Sequence, residues 1–233
     1  MSDHILSAFD RDLEAVQALV VKMGGLVEEQ ILNCAKALET RDDELAQEVR
    51  NRDKAVDALE EKINEEAARL IALRAPAARD LRMALSVIKI SASLERVGDY
   101  AKNIGKRSQV LMDSPAINGT PAAIRRMAQA TEAMLKDALD SYIQRDADLA
   151  RDVRARDLEV DQMYNALFRE FLTYMLEDPR NITPCMHLHF IAKNIERMGD
   201  HATSIAEQVI YLVTGEMPDD ARPKSSSVIE TEV

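Results

Sequence analysis

Leu6, Phe9, Leu13, Val16, Leu19 or Val20, and Met23 recur every three or four residues, the spacing that puts side chains on one face of an α-helix. The pattern predicts a first helix over about residues 5–39. Gly24 and Gly25 interrupt it, each costing about 1 kcal/mol against alanine. Leu26, Val27, Ile31 and Leu32 then resume the register, so a kink or a close packing contact is expected there, not a stop. Similar periodicity predicts helices over about 41–73, 77–112, 122–144, 146–176 and 185–213. Pro76 separates the second from the third, because proline disfavours helical backbone in the residue before it. Asp113-Ser114-Pro115 and Asn118-Gly119-Thr120-Pro121 mark a loop, with Thr120 the expected N-cap and Pro121 the first helical residue. Asp178-Pro179 and Thr183-Pro184 punctuate the last connection, and Gly215 and Pro218 close the final helix.

The six predicted helices repeat as two threes. Residues 41–57 align with 145–161, ten of 17 positions being identical, and residues 88–104 align with 189–205, with seven of 17 identical. A period near 100 residues is too long for a solenoid unit. It reads as an all-α chain of tandem duplicated three-helix bundles, with short loops making neighbouring helices antiparallel. The expected division is 1–115, 116–214 and a flexible tail over 215–233, rich in Asp, Ser, Lys and Pro.

Composition narrows the function. Aromatics are 4% of the 233 residues and Trp is absent, which suits helices over sheets. The formal net charge is −11, so the chain repels phosphate backbones and nucleic acid is not an expected partner. No apolar run reaches the roughly 18 residues needed to span a bilayer, and the N-terminus lacks the basic and apolar regions of a secretory signal. A cytoplasmic location is expected, with Cys34 and Cys185 as reduced, buried thiols. The Met residues read as core filler.

What the duplication keeps is acid. Glu95-Arg96-Val97-Gly98-Asp99 returns as Glu196-Arg197-Met198-Gly199-Asp200, and Asp53/Asp57 returns as Asp157/Asp161. Each pair is spaced i, i+4, so its carboxylates share a helix face, an arrangement that costs roughly 0.2–0.5 kcal/mol in an isolated helix. All eight acids persist while Lys54 became Leu158 and Ala55 became Glu159. The acids sit about 100° round the axis from the apolar seam. Antiparallel packing of one hand therefore brings four carboxylates into one groove in each half. All-oxygen donors of this kind suit Mg, Mn, Ca or Fe ions. The competing reading is a solvated acidic face, neutralised by Arg50, Arg52 and Arg96 and their copies Arg154, Arg156 and Arg197. Gly98 and Gly199 signal either a close helix approach or a bared carbonyl. His187 and His189 are read as ordinary half-buried residues, and His201, standing where Tyr100 stands in the first half, as a minor ligand candidate. Carboxylate-bridged dimetal enzymes use Glu-x-x-His, whereas Gly98 and Gly199 occupy the i+3 position here. No nucleophile elbow or phosphate loop occurs, so an enzyme is not expected.

These residues resemble the PhoU family of bacterial phosphate-transport accessory and regulatory proteins. The likeness runs over about residues 4–214. It includes Met23-Gly24-Gly25-Leu26-Val27-Glu28, Arg50-Asn51-Arg52-Asp53 with Asp57, Asp80-Leu81-Arg82, and the stretches Glu95–Ile104 and Glu196–Ile205. The resemblance implies a divalent metal cluster (Fe, Mn, Mg, Zn or Ca) in each half, held by Asp53, Asp57, Glu95 and Asp99 and by Asp157, Asp161, Glu196 and Asp200. It implies a cytoplasmic homodimer that modulates the high-affinity phosphate ABC transporter through its ATPase subunit. It also implies restraint of the phosphate-starvation response through a sensor histidine kinase. The alternatives are a metal-free helical scaffold and a dimetal enzyme. In the second half Ser204, Asn181 and His201 replace Asn103, Asp80 and Tyr100, so the two sites are expected to differ.

Overall fold

The apolar stripes bury as their spacing requires. In the computed structural model, which describes residues 2–117 and 119–218 (the side chains of 2–8 and of Arg79 excepted), the described residues form six long helices and one short 3-10 turn. These are α1 (Ser2–Thr40), α2 (Asp43–Arg74), α3 (Arg79–Leu111), α4 (Thr120–Gln144), α5 (Ala147–Glu177) and α6 (Ile182–Thr214), with the 3-10 turn at Pro179–Asn181. The tail expected over 215–233 lies, from residue 219 onward, outside the described residues.

Two ends depart from expectation. Gly119, at φ 82°, takes the N-cap position of α4, and Thr120 is already helical and fully buried. The α6 helix begins at Ile182, not Cys185, because Pro184 falls within its first turn, where no amide donor is needed. Elsewhere side chains close the ends: Asp42 accepts from the Leu45 amide and Asp146 from those of Asp148 and Leu149.

In each half the helices run antiparallel to the next. α2 packs on α1 and α3, and α5 on α4 and α6. The halves meet along α3–α6 and α1–α4, so four helices lie inside and α2 and α5 outside. Tyr100 lies against His201, Arg107 against Phe190 and Arg82 against Gly215, which makes α3 and α6 antiparallel. α1 and α4 also run antiparallel, with Arg125 bonded to Glu39 and Gly24 under Leu139. Gly24 is thus a packing contact in an unbroken helix. One apolar core, from Phe9 through Ile104 and Ile124 to Leu212, runs through both halves. Cys34 and Cys185 are buried and unlinked, and burial pushes the Cys34 thiol up to about 12. Among the described residues no helix is long and apolar enough to cross a membrane.

Candidate functional site

The repeated acids line two grooves, α2–α3 and α5–α6. Asp53 is 2% exposed and Asp157 9%, so neither belongs to a solvated face. Asp53 faces α3, where the Lys102 ammonium bonds it and also reaches Asp99 at 3.3 Å. Asp57 is held above the usual carboxylate range by burial and then by the charges of Asp53 and Asp99. Glu95 is raised by burial and then by Asp99, with Glu60 and Asp57 adding to it. Asp57 therefore feels Asp53 and Asp99, and Glu95 feels Asp99 and Asp57.

The second groove repeats the arrangement with a different cation. Glu196 is raised by burial, with Asp200 and Asp161 acting in the same direction and Lys193 opposing them. Lys193 donates to Glu196 at 2.6 Å. Asp157 stands over Gly199, its Oδ1 3.4 Å from where a Cβ would be. The position equivalent to Lys102 is Thr203, whose buried hydroxyl has no partner. The two lysines escaped the sequence reading. Lys102, one turn from Asp99 and replaced by Thr203 in the second half, was the available signal.

The arginines of the first half do not neutralise the groove as a surface ion-pair reading requires. Arg52 bonds Glu29 and Glu48, Arg50 bonds Gln47 and Gln109, and Arg96 reaches Glu95 only at 3.6 Å. Gly98 is a close-approach position, whereas Gly199 has room for a Cβ at ordinary contact distance. A Cβ on Gly98 would meet Val56 at 3.2 Å, and one on Gly199 would meet Val160 at 3.5 Å. His201 turns to Tyr100, ring centroids 5.8 Å apart, and so faces the α3–α6 seam. His189 sits among Tyr164, Phe168 and Phe190.

With lysines seated in the grooves, no three His, Cys, Asp or Glu side chains among the described residues are gathered round one point as a ligand set. The donor chemistry nevertheless fits a hard divalent ion. Asp53 Oδ1 and Glu196 Oε2 are buried and lack any hydrogen-bond partner, while Lys102 reaches the first groove and Lys193 the second. A buried charged oxygen left unpaired is costly, so each groove has acceptor capacity that protein donors do not fill.

The PhoU domain profile matches the chain twice, over residues 20–108 and 124–209. The phosphate-specific transport system accessory protein PhoU homolog of Caulobacter vibrioides (strain NA1000 / CB15N) is 47% identical over 224 residues, covering 96% of this chain and 97% of that protein. The protein of the same description in Rhizobium meliloti (strain 1021) is 46% identical over 221 residues, covering 95% and 93%. The crystal structure of PhoU from Pseudomonas aeruginosa superposes with a TM-score of 0.86 at 40% identity, over 89% of this chain and all of that one. PhoU from Streptococcus pneumoniae gives 0.83 at 29% identity, over 91% and 99%. With both halves matched, the whole length aligned and the bundle shared with solved relatives, the chain belongs to the PhoU family.

Proposed function

We propose that this protein is a non-catalytic regulator of phosphate uptake that binds divalent metal ions in its two carboxylate grooves. The relatives' description as accessory proteins of a phosphate-specific transport system supports the transport role. The proposed partners are the ATPase subunit of the phosphate ABC transporter and, for restraint of the starvation response, a phosphate-sensing histidine kinase. The proposed setting is the cytoplasm, with the protein as a homodimer. The observation that carries the metal reading is Asp53, buried between α2 and α3 with one oxygen on Lys102 and the other without a donor. Asp53, Asp57, Glu95 and Asp99 would hold one cluster and Asp157, Asp161, Glu196 and Asp200 the other. The bound ion would neutralise the mutual repulsion and clamp adjacent helices. Partners would then read the clamped surface.

Elemental analysis of the protein as isolated tests this, paired with capture by the transporter ATPase. Glu95→Ala with Asp99→Ala should lower bound metal by about one half's complement. Metal content unchanged by that variant contradicts the ligand assignment. Failure of the purified protein to bind the ATPase, with phosphate uptake unaltered in a deletion strain, contradicts the regulatory role.

A further inference from the structure

The chain is strongly acidic, yet the line where its halves meet is basic. On α3, Arg82, Lys89 and Arg96 stand seven residues apart, and Arg107 follows Tyr100 by seven. Steps of seven drift only about 20° round a helix, so these side chains form one stripe facing α6. The contacts agree: Arg82 lies against Gly215, and the Arg107 guanidinium sits 4.3 Å over the Phe190 ring. From the other side Arg197 lies 6.0 Å over Tyr100. The side chain of Arg96 is 62% exposed, and Phe190 is 42% exposed. Apart from the 3.6 Å approach of Arg96 to Glu95, none of these five bases makes an ion pair among the described residues. The Arg82 Nε is buried without an acceptor.

The surroundings limit what this charge attracts. Glu95 and Asp99 lie on one flank of the stripe, toward α2, and Glu196 and Asp200 on the other, toward α5. The outer face of α2, α3, α6 and α5 thus runs acid, base, acid. A broad polyanion, whether duplex nucleic acid or a sheet of anionic headgroups, would overlie both acidic flanks and be repelled by them. A single helix, about 10–12 Å across, fits the furrow between two neighbouring rods and meets the bases alone. Phe190, with Met186 one turn before it on α6 and exposed Val110 one turn beyond Arg107 on α3, adds an apolar end.

We propose that the α3–α6 seam is the docking surface for an acidic amphipathic helix of a partner protein. Carboxylates of that helix pair with Arg82, Lys89, Arg96, Arg107 and Arg197, and its apolar residues cover Phe190. The proposal rests on the proposed regulatory function only in assuming a protein partner. It does not depend on the grooves being metal-loaded.

Fluorescence anisotropy with the full-length protein tests it. The probe is a short fluorescein-labelled helical peptide of glutamate, leucine and alanine. Comparison ligands are its lysine counterpart, duplex DNA and phosphatidylserine vesicles. The glutamate peptide should bind, weaken with added salt, and lose at least about tenfold in affinity in the Arg107→Glu, Arg197→Glu double variant. Arg126→Glu on α4 should leave binding unchanged. Circular dichroism and the melting temperature confirm that the variants fold, and Arg107→Gln serves as a milder substitute should the double variant melt early. Equal binding by wild type and seam variants overturns the proposal, as does preference for DNA, vesicles or the lysine peptide. Restoration of normal phosphate uptake in a deletion strain is scored separately. A seam variant that loses the peptide but still restores uptake overturns the seam as the regulatory contact and leaves the proposed regulatory function standing.

Discussion

Lys102 decides how far one residue governs the first groove. Its ammonium is the donor that faces Asp53 Oδ2, on a carboxylate that water hardly reaches. Lys102→Met keeps the stem and removes the charge. The variant should lose about 1–3 kcal/mol of unfolding free energy in chelator, because a buried carboxylate is left without a donor. Added manganese or magnesium should restore most of that loss, since an ion binding only the folded form stabilises it. Urea titrations with and without metal check this, and a loss that metal cannot reverse would tell against a cation site at Asp53. The eight acids were readable because duplication repeated them in unchanged spacing. Lys102 and Lys193 were not, because each belongs to one half only and sits outside the repeated five-residue motif.

Between elements, glycine sets how near α3 comes to α2. A Cβ on Gly105 would lie 2.9 Å from the Ala46 carbonyl oxygen, a backbone atom that cannot turn aside. Gly105→Ala should therefore cost about 1–3 kcal/mol, overriding the roughly 1 kcal/mol that alanine contributes in a helix. Gly25 has nothing within 4 Å of the same position, and Gly25→Ala should gain up to about 1 kcal/mol. Denaturant midpoints of the two variants should move in opposite directions, and a shared direction would refute the packing argument. The six helices were legible because their apolar spacing persists for 25 to 39 residues. Their ends were less so. Thr120 looked like a cap, but its buried side chain serves packing, and Gly119 takes the cap position with a backbone angle that periodicity does not encode. The convergence of carboxylates also needed the hand of the bundle, which lies in tertiary packing and not in spacing.

At the scale of the whole molecule, titration pulls stability both ways. His189 is held below its ordinary 6.5 by burial and then by Lys193. As pH falls through 6.5 the unfolded chain takes up that proton first, so stability present above 6.5 is lost. Asp57, Glu95 and Glu196 are raised above 3.8, 4.5 and 4.5, so the folded chain takes up their protons first and gains stability as pH falls toward those values. His189→Phe, placed among Tyr164, Phe168 and Phe190, removes its share of the opposing contribution, the rest coming from His201, which burial also holds below 6.5. Melting temperatures measured in chelator from pH 8 to pH 5 should show wild type losing more, or gaining less, than the variant below about pH 6.5. Parallel profiles would remove His189 from the balance.

Arg41 gives the join between the halves its character. From a left-handed position at the turn between α1 and α2 (φ 52°), its Nη2 donates to the carbonyls of Leu111, Met112 and Ser114 at 2.8, 2.6 and 2.6 Å. The connector leading to the second half is thereby riveted to the first. Because the core is also shared, a hinge has nowhere to form, and the two carboxylate grooves behave as marks on a rigid gauge. A partner that touches both must match one fixed span, so recognition can discriminate by shape as well as by charge.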